Sequence, residues 1–208
     1  MKRKIFTIIA GFAFALCCTA QTATEILDKT AKQLENSGGI EASFKATSLR
    51  GTTERTTTSG TFYVKEDKIK IISDDANIWF DGKTQWSLYA NSDEVNVSNP
   101  TEEELQSINP YTFINFYKHG FDHTMSVTTY NGKSCYKVRM IPQNPLSIKE
   151  MRIVIDQKTF LTYSIQIQQN NDYFIISIKE IKTHNKWKDS FFRFNEKEFP
   201  NVEVIDLR

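Results

Sequence analysis

The sequence predicts a mainly β fold with helices (α+β), built on an antiparallel meander, and three observations predict it. Apolar and polar residues alternate with a period of two along most of the chain. Tight-turn pairs such as Asp81-Gly82 and Asn131-Gly132 punctuate those runs. Helical spacing is confined to one segment near the start and one in mid-chain.

The elements follow in chain order. Ile26, Leu27, Ala31 and Leu34 recur at helical spacing and Gly38-Gly39 ends the run, so residues 22 to 37 are expected to form one amphipathic helix. Ile40, Ala42, Phe44 and Ala46 then alternate as a half-buried strand requires. The same alternation joins Phe62 with Val64, Ile69 with Ile71, Tyr136 with Val138 and Met140, Ile153 with Ile155, and Tyr163 with Ile165 and Ile167. Turns are expected at Asp81-Gly82, Asn131-Gly132, 156 to 158 and 170 to 172, and strand, tight turn, strand is the order of a meander rather than of parallel βαβ units. Thr101 and Glu104 stand as a capping box ahead of Leu105 and Ile108, and Pro110 ends that short helix. The dense run of Tyr111, Phe113, Ile114, Phe116 and Tyr117, closed by Gly120, predicts a second helical segment lying against the sheet. Without repeats, linkers or low-complexity tracts, residues 21 to 208 are expected to form a single domain.

Lys2, Arg3 and Lys4 precede an apolar run from Ile5 to Leu16 and a small-residue end at Thr19 and Ala20, the pattern of an export signal cut after Ala20. That run falls short of the roughly twenty residues that cross a bilayer as a helix. Leu16 before Cys17, and Cys17 before Cys18, break the lipoprotein-signal pattern, so both cysteines are expected to leave with the signal. Cys135 would then be the only cysteine, which excludes an intramolecular disulfide. The chain holds 26 basic and 25 acidic residues; without the three signal cations the balance is 23 to 25, a net −2. Such neutrality provides no long-range field to recruit nucleic acid or an anionic membrane, so specificity is sought in shape and apolar surface.

Gly60-Thr61-Phe62-Tyr63-Val64-Lys65 and Asp81-Gly82-Lys83-Thr84-Gln85-Trp86 resemble, in order and spacing, the two signature segments of the LolA family of outer-membrane lipoprotein carriers. Ile40-Glu41-Ala42-Ser43-Phe44, the Asn109-Pro110 helix opening and the ending Val202-Glu203-Val204 are similar too, so the resemblance spans essentially the whole exported chain. It implies an unclosed, highly curved antiparallel half-barrel with an N-terminal helix and a helical lid over the concave face. It also implies a periplasmic chaperone; no cofactor or enzymatic activity is expected, since no catalytic constellation stands in the sequence, and a monomer is expected. Its cargo would be the acyl chains of lipoproteins or other lipids, taken from an inner-membrane releasing complex and passed to an outer-membrane acceptor. One departure stands out. Where the family carries a lid-latching arginine, usually followed by proline, this chain has Glu66 and Asp67. That departure motivates the alternative of a lipid-sensing or adaptor module on the same fold, or a carrier of another amphiphilic lipid.

The candidate lipid-binding residues are Phe44, Phe62, Val64, Ile69, Ile71, Trp79, Trp86, Val138, Ile153, Ile155, Ile165, Ile167, Ile176 and Ile178 on strands, with Phe113 and Phe116 above them. Leu105, Ile108 and Ile114 complete the candidate lid. The alternation alone equally fits a core packed solid, and only the resemblance favours a hollow.

Other chemistry finds little footing. His119 and His123 have the i, i+4 spacing of zinc ligands, but Gly120 interrupts any helix between them and no third ligand follows, so they read as surface histidines. His184 stands alone in a polar stretch. Cys135 lies in a strand without a neighbouring base and reads as a buried structural thiol. Glu102, Glu103 and Glu104 suit the positive end of a helix dipole better than acid/base catalysis. Trp187 amid Lys186, Lys188 and Arg193 is expected at a solvated strand edge.

Overall fold

The computed structural model describes residues 21–101, 104, 117–118, 120–144, 147–183 and 186–208. Helix α1 runs Ala23–Asn36, one residue inside the expected span at each end. Its start is a capping box: the Glu25 N–H donates to the Thr22 hydroxyl at 3.2 Å and the Thr22 N–H donates to the Glu25 carboxylate at 3.1 Å. At its end the Ser37 hydroxyl donates to the Leu34 carbonyl at 2.6 Å. The chain then turns through Gly38 at φ 67° and Gly39 at φ 133°, conformations that L side chains resist.

Twelve strands follow in one sheet among the described residues: β1 (Ile40–Arg50), β2 (Thr53–Lys65), β3 (Lys68–Ser73), β4 (Ala76–Phe80), β5 (Gln85–Tyr89), β6 (Glu94–Ser98), β7 (Phe121–Tyr130), β8 (Lys133–Pro142), β9 (Glu150–Asp156), β10 (Thr162–Gln169), β11 (Asp172–Lys182) and β12 (Glu203–Asp206). Their spatial order is β12-β6-β5-β4-β3-β2-β1-β11-β10-β9-β8-β7. β1 therefore lies between two meanders, one running out to β6 and the other back to β7. Every pairing is antiparallel except β12 on β6. The sheet does not close, since β12 and β7 remain as edges, and the architecture is an open half-barrel, mainly β, as the sequence predicts.

Register assigns the faces. Ala42, Phe62, Ile71 and Ile78 stand side by side across β1 to β4, and Val138, Ile153, Ile165 and Ile176 across β8 to β11. All lie on the side that carries α1, the inner face, because buried residues of both rows cluster with Ile26 and Leu27. The alternate residues, such as Tyr63, Lys70, Trp79 and Trp86, share the outer face. One expected alternation is broken. The β9–β10 register shifts between Thr162 and Ser164, and Tyr163 turns outward to donate to Asp156 at 3.0 Å and accept from Lys133 at 2.8 Å. Thr101 and Glu104 form the expected capping box, with the Glu104 N–H donating to the Thr101 hydroxyl at 3.3 Å. The segment predicted to follow it as a lid, with Leu105, Ile108, Phe113, Ile114 and Phe116, lies outside the described residues.

Candidate functional site

One end of the inner face is closed. Here α1 lies across the strands, and Phe62, Val64, Val138, Ile153, Ile155, Ile165 and Ile178 are at most 2% exposed in one cluster with Ile26, Leu27 and Tyr117. Ile69 is buried as fully. Side chains at that depth pack to interior density, so these eight predicted lining residues are core, seven of them in the cluster with α1. Polar ties hold the helix down. The Tyr136 hydroxyl donates to the Gln21 side-chain carbonyl at 2.6 Å, the Tyr117 hydroxyl donates to Asp28, and Lys118 approaches Asp28 at 3.2 Å. The Tyr117 hydrogen bond, reinforced by Lys118, lowers the Asp28 carboxyl below its ordinary value of 3.8 despite opposing desolvation. Burial, and then the Asp28 charge, push the Tyr117 phenol upward.

The other end is less fully covered by the described residues. At the tips of the β1–β2 and β10–β11 hairpins, joined where the Gly51 N–H donates to the Asn171 carbonyl at 2.8 Å, the inner face runs beyond α1. Phe44, Ile71, Ile167 and Ile176 are half-buried there, packed against the rim of the core cluster. Ile78 is half-buried beside Ile71, while Phe174 is 40% and Tyr89 56% exposed. Phe174 pairs with Ile167, and Tyr89 with Ala76, so both belong to the inner face. Gly60 makes the close approach of β2 and β3 possible here, because a Cβ at this position would sit 2.2 Å from the Ile72 carbonyl oxygen. The result is an apolar inner face sealed by the core cluster at one end, with Phe44, Ile71, Ile167 and Ile176 at the cluster's rim and Phe174 and Tyr89 exposed beyond it on either side of Ser48, Thr58 and Ser73.

Two predicted lining residues belong elsewhere. Trp79 pairs with Lys70 and Trp86, which places both tryptophans on the outer face. Trp79 is 3% exposed because Phe194 and Phe199 stand edge-on to it at 5.4 and 5.6 Å. β4 is apolar at Ile78, Trp79 and Phe80 in succession, so alternation could not say which parity faces inward; the pairing with β3 decides. The cover is the C-terminal segment 187–202. Trp187 and Phe191 pack on Tyr63 at 5.6 and 5.1 Å, and Lys70 lies 4.2 Å from the Phe191 ring centre. Desolvation beneath these rings lowers the Lys70 ammonium pKa. Lys65 donates to the Trp187 carbonyl at 3.0 Å, and Arg193 pairs with Asp81 at 2.9 Å. Trp187 is thus a packing residue of this segment and lies off any strand, contrary to the expected solvated strand edge.

Glu102 and Glu103 lie outside the described residues. Glu66 and Asp67, at the family's latch position, occupy the β2–β3 turn and lie 3.4 and 3.6 Å from Lys68. Cys135 is fully buried, and burial raises its thiol pKa, as befits a structural thiol. His123 is half-buried on β7 beside the Tyr117 ring at 6.4 Å, with an unpartnered Nε2, so it is not a surface histidine. His119 and His184 lie outside the described residues. No described helix is long and apolar enough to cross a membrane.

The described residues form an open half-barrel with α1 sealing part of its inner face, and comparison gives its family. Residues 13–171 match the family model described as outer membrane lipoprotein carrier protein LolA, and the chain belongs to that family. No curated protein matches it by sequence. Among solved structures it is similar to an uncharacterized conserved protein from Thermus thermophilus, at 11% identity and TM-score 0.62 over 89% of this chain and 99% of that one. A LolA superfamily protein from Nitrosomonas europaea aligns at 8% identity and TM-score 0.45, over 84% of this chain and 99% of that one.

Proposed function

We propose that the chain is an extracytoplasmic, non-enzymatic carrier that shelters acyl chains of lipoproteins on the open part of its inner face. In this reading residues 1–20 are an export signal cut after Ala20, residues 21–208 form the single carrier domain, and cargo passes from an inner-membrane releasing complex to an outer-membrane acceptor. The observation that carries it is the half-buried apolar rim of Phe44, Ile71, Ile167 and Ile176 beyond the α1 core, with Phe174 and Tyr89 exposed on the same face. Covering an acyl chain is worth about 0.8 kcal/mol per methylene, or roughly 10 kcal/mol for a chain of about fourteen carbons, so a lipid anchor needs such a strip to cross water. A half-exposed surface covers a chain incompletely, which keeps the grip weaker than that of an acceptor and allows release. The Glu66–Lys68 contact in place of the family's arginine supports a second reading, a lipid sensor that retains its ligand. Purified protein extracted for mass spectrometry, then mixed with acceptor membranes and labelled lipoprotein, tests both. Co-purified lipid that transfers supports the carrier, lipid that stays supports the sensor, and absence of lipid and transfer overturns the proposal.

A further inference from the structure

The two edges of the sheet are built in opposite ways. β12 has four residues, two of them acidic, Glu203 and Asp206, and Arg208 clamps the latter at 2.9 Å. β7 runs ten residues, pairs with β8 without a bulge, and contains no Lys, Arg or Pro, its single acid being Asp122. Shortness, charge, proline and bulges are the devices that stop a sheet edge from recruiting another strand, and β7 is nearly bare of them.

Its backbone parity is legible. Asn131 at φ 49° and Gly132 at φ 77° form a two-residue turn, which makes Tyr130 and Lys133 a mutually hydrogen-bonded pair. At the far end the Gln143 N–H donates to the Gly120 carbonyl at 2.8 Å, in the same parity. Even-numbered residues therefore spend their backbone groups on β8, while Met125, Val127 and Thr129 direct theirs outward, where no described residue pairs with them. The Val127 side chain on this edge is 68% exposed.

We propose that β7 is a homodimer interface, in which two copies pair antiparallel across a two-fold axis with Ser126 facing Ser126 of the second copy. This register brings the outward backbone groups of Met125 and Val127 onto those of Val127 and Met125 of the second copy and sets the two apolar side chains together. It places Asp122 opposite Tyr130 of the second copy, so no like charges meet. An isologous joint demands a self-complementary strand, which β7 is, and that favours a second copy over an unrelated extended peptide. The pair replaces the single working copy expected from the sequence, and it stands whether or not the lipid reading holds.

Symmetry makes the test position-specific. In a non-hydrogen-bonded antiparallel pair the Cα atoms lie about 4.5 Å apart, within disulfide reach, so Ser126→Cys should link two copies when dioxygen and copper phenanthroline oxidise the two thiols. Thr124→Cys, which faces Thr128 of the second copy, should stay unlinked, and buried Cys135 does not compete. Val127→Pro removes an N–H that points away from β8, so it should keep the circular dichroism spectrum and abolish the dimer seen by sedimentation equilibrium. A wild-type monomer at every concentration, equal linking at both positions, or a monomer that pairs only with added extended peptides overturns the proposal.

Discussion

Two ends of one inner face share a residue pattern and differ in what covers them. Ile165 and Ile167 are neighbours of the same parity on β10; the first is 1% exposed inside the cluster with α1, and the second is half-buried at its rim. Ile178 and Ile176 repeat the contrast on β11, at 2% exposed and half-buried. The strands thus offer one apolar surface, and the reach of a single helix divides it into a structural part and an available part. Stability resides where α1 lies, and the proposed binding falls to the surface it does not cover.

The contrast breaks most sharply under charge insertion. Ile155→Asp places a carboxylate in the closed core and should abolish cooperative folding, because the penalty exceeds the few kcal/mol by which a domain is stable, about 5 to 15. Phe174→Asp should leave the urea midpoint nearly unchanged yet cut lipid uptake by about tenfold or more, a loss of about 1.4 kcal/mol in binding. Equal unfolding by both would show the open end to be core. A milder probe is Leu27→Ala, which removes a fully buried α1 side chain and should cost about 3 kcal/mol in denaturant unfolding. Thr22→Ala breaks the capping box and should cost about 1 kcal/mol.

The smallest effect concerns acid. The Tyr117 hydrogen bond keeps the Asp28 carboxyl below its ordinary 3.8, so the native state prefers the carboxylate. The stabilisation from this tie is therefore complete above that ordinary value and is lost as pH falls through the lowered native value. Asp28→Asn should flatten the acid limb of a stability profile followed by urea unfolding.

Much of this was legible in the sequence. Period-two alternation located the strands around Phe62, Val138, Ile153 and Ile165, and the box at Thr101 and Glu104 is a local hydrogen-bond pattern that spacing reveals. Depth was not legible, because Ile165 and Ile167 look alike until a helix far away in the chain covers one of them. Nor were the tryptophans, since apolar residues on both parities of β4 mean that both faces are covered. The signal was available in the run Phe191, Phe192, Phe194 and Phe199: so many aromatic rings need a partner surface, and the outer face supplies Tyr63 and Trp79.

That division places all three native tryptophans, Trp79, Trp86 and Trp187, on the outer side, away from the strip assigned to lipid. Fluorescence with lipids brominated along the acyl chain, which quench only rings they touch, reads this directly. The account predicts that native emission survives saturation with brominated lipid, and that the added emission of a Phe174→Trp variant is quenched. Quenching of the native tryptophans with Trp at position 174 left bright would contradict it.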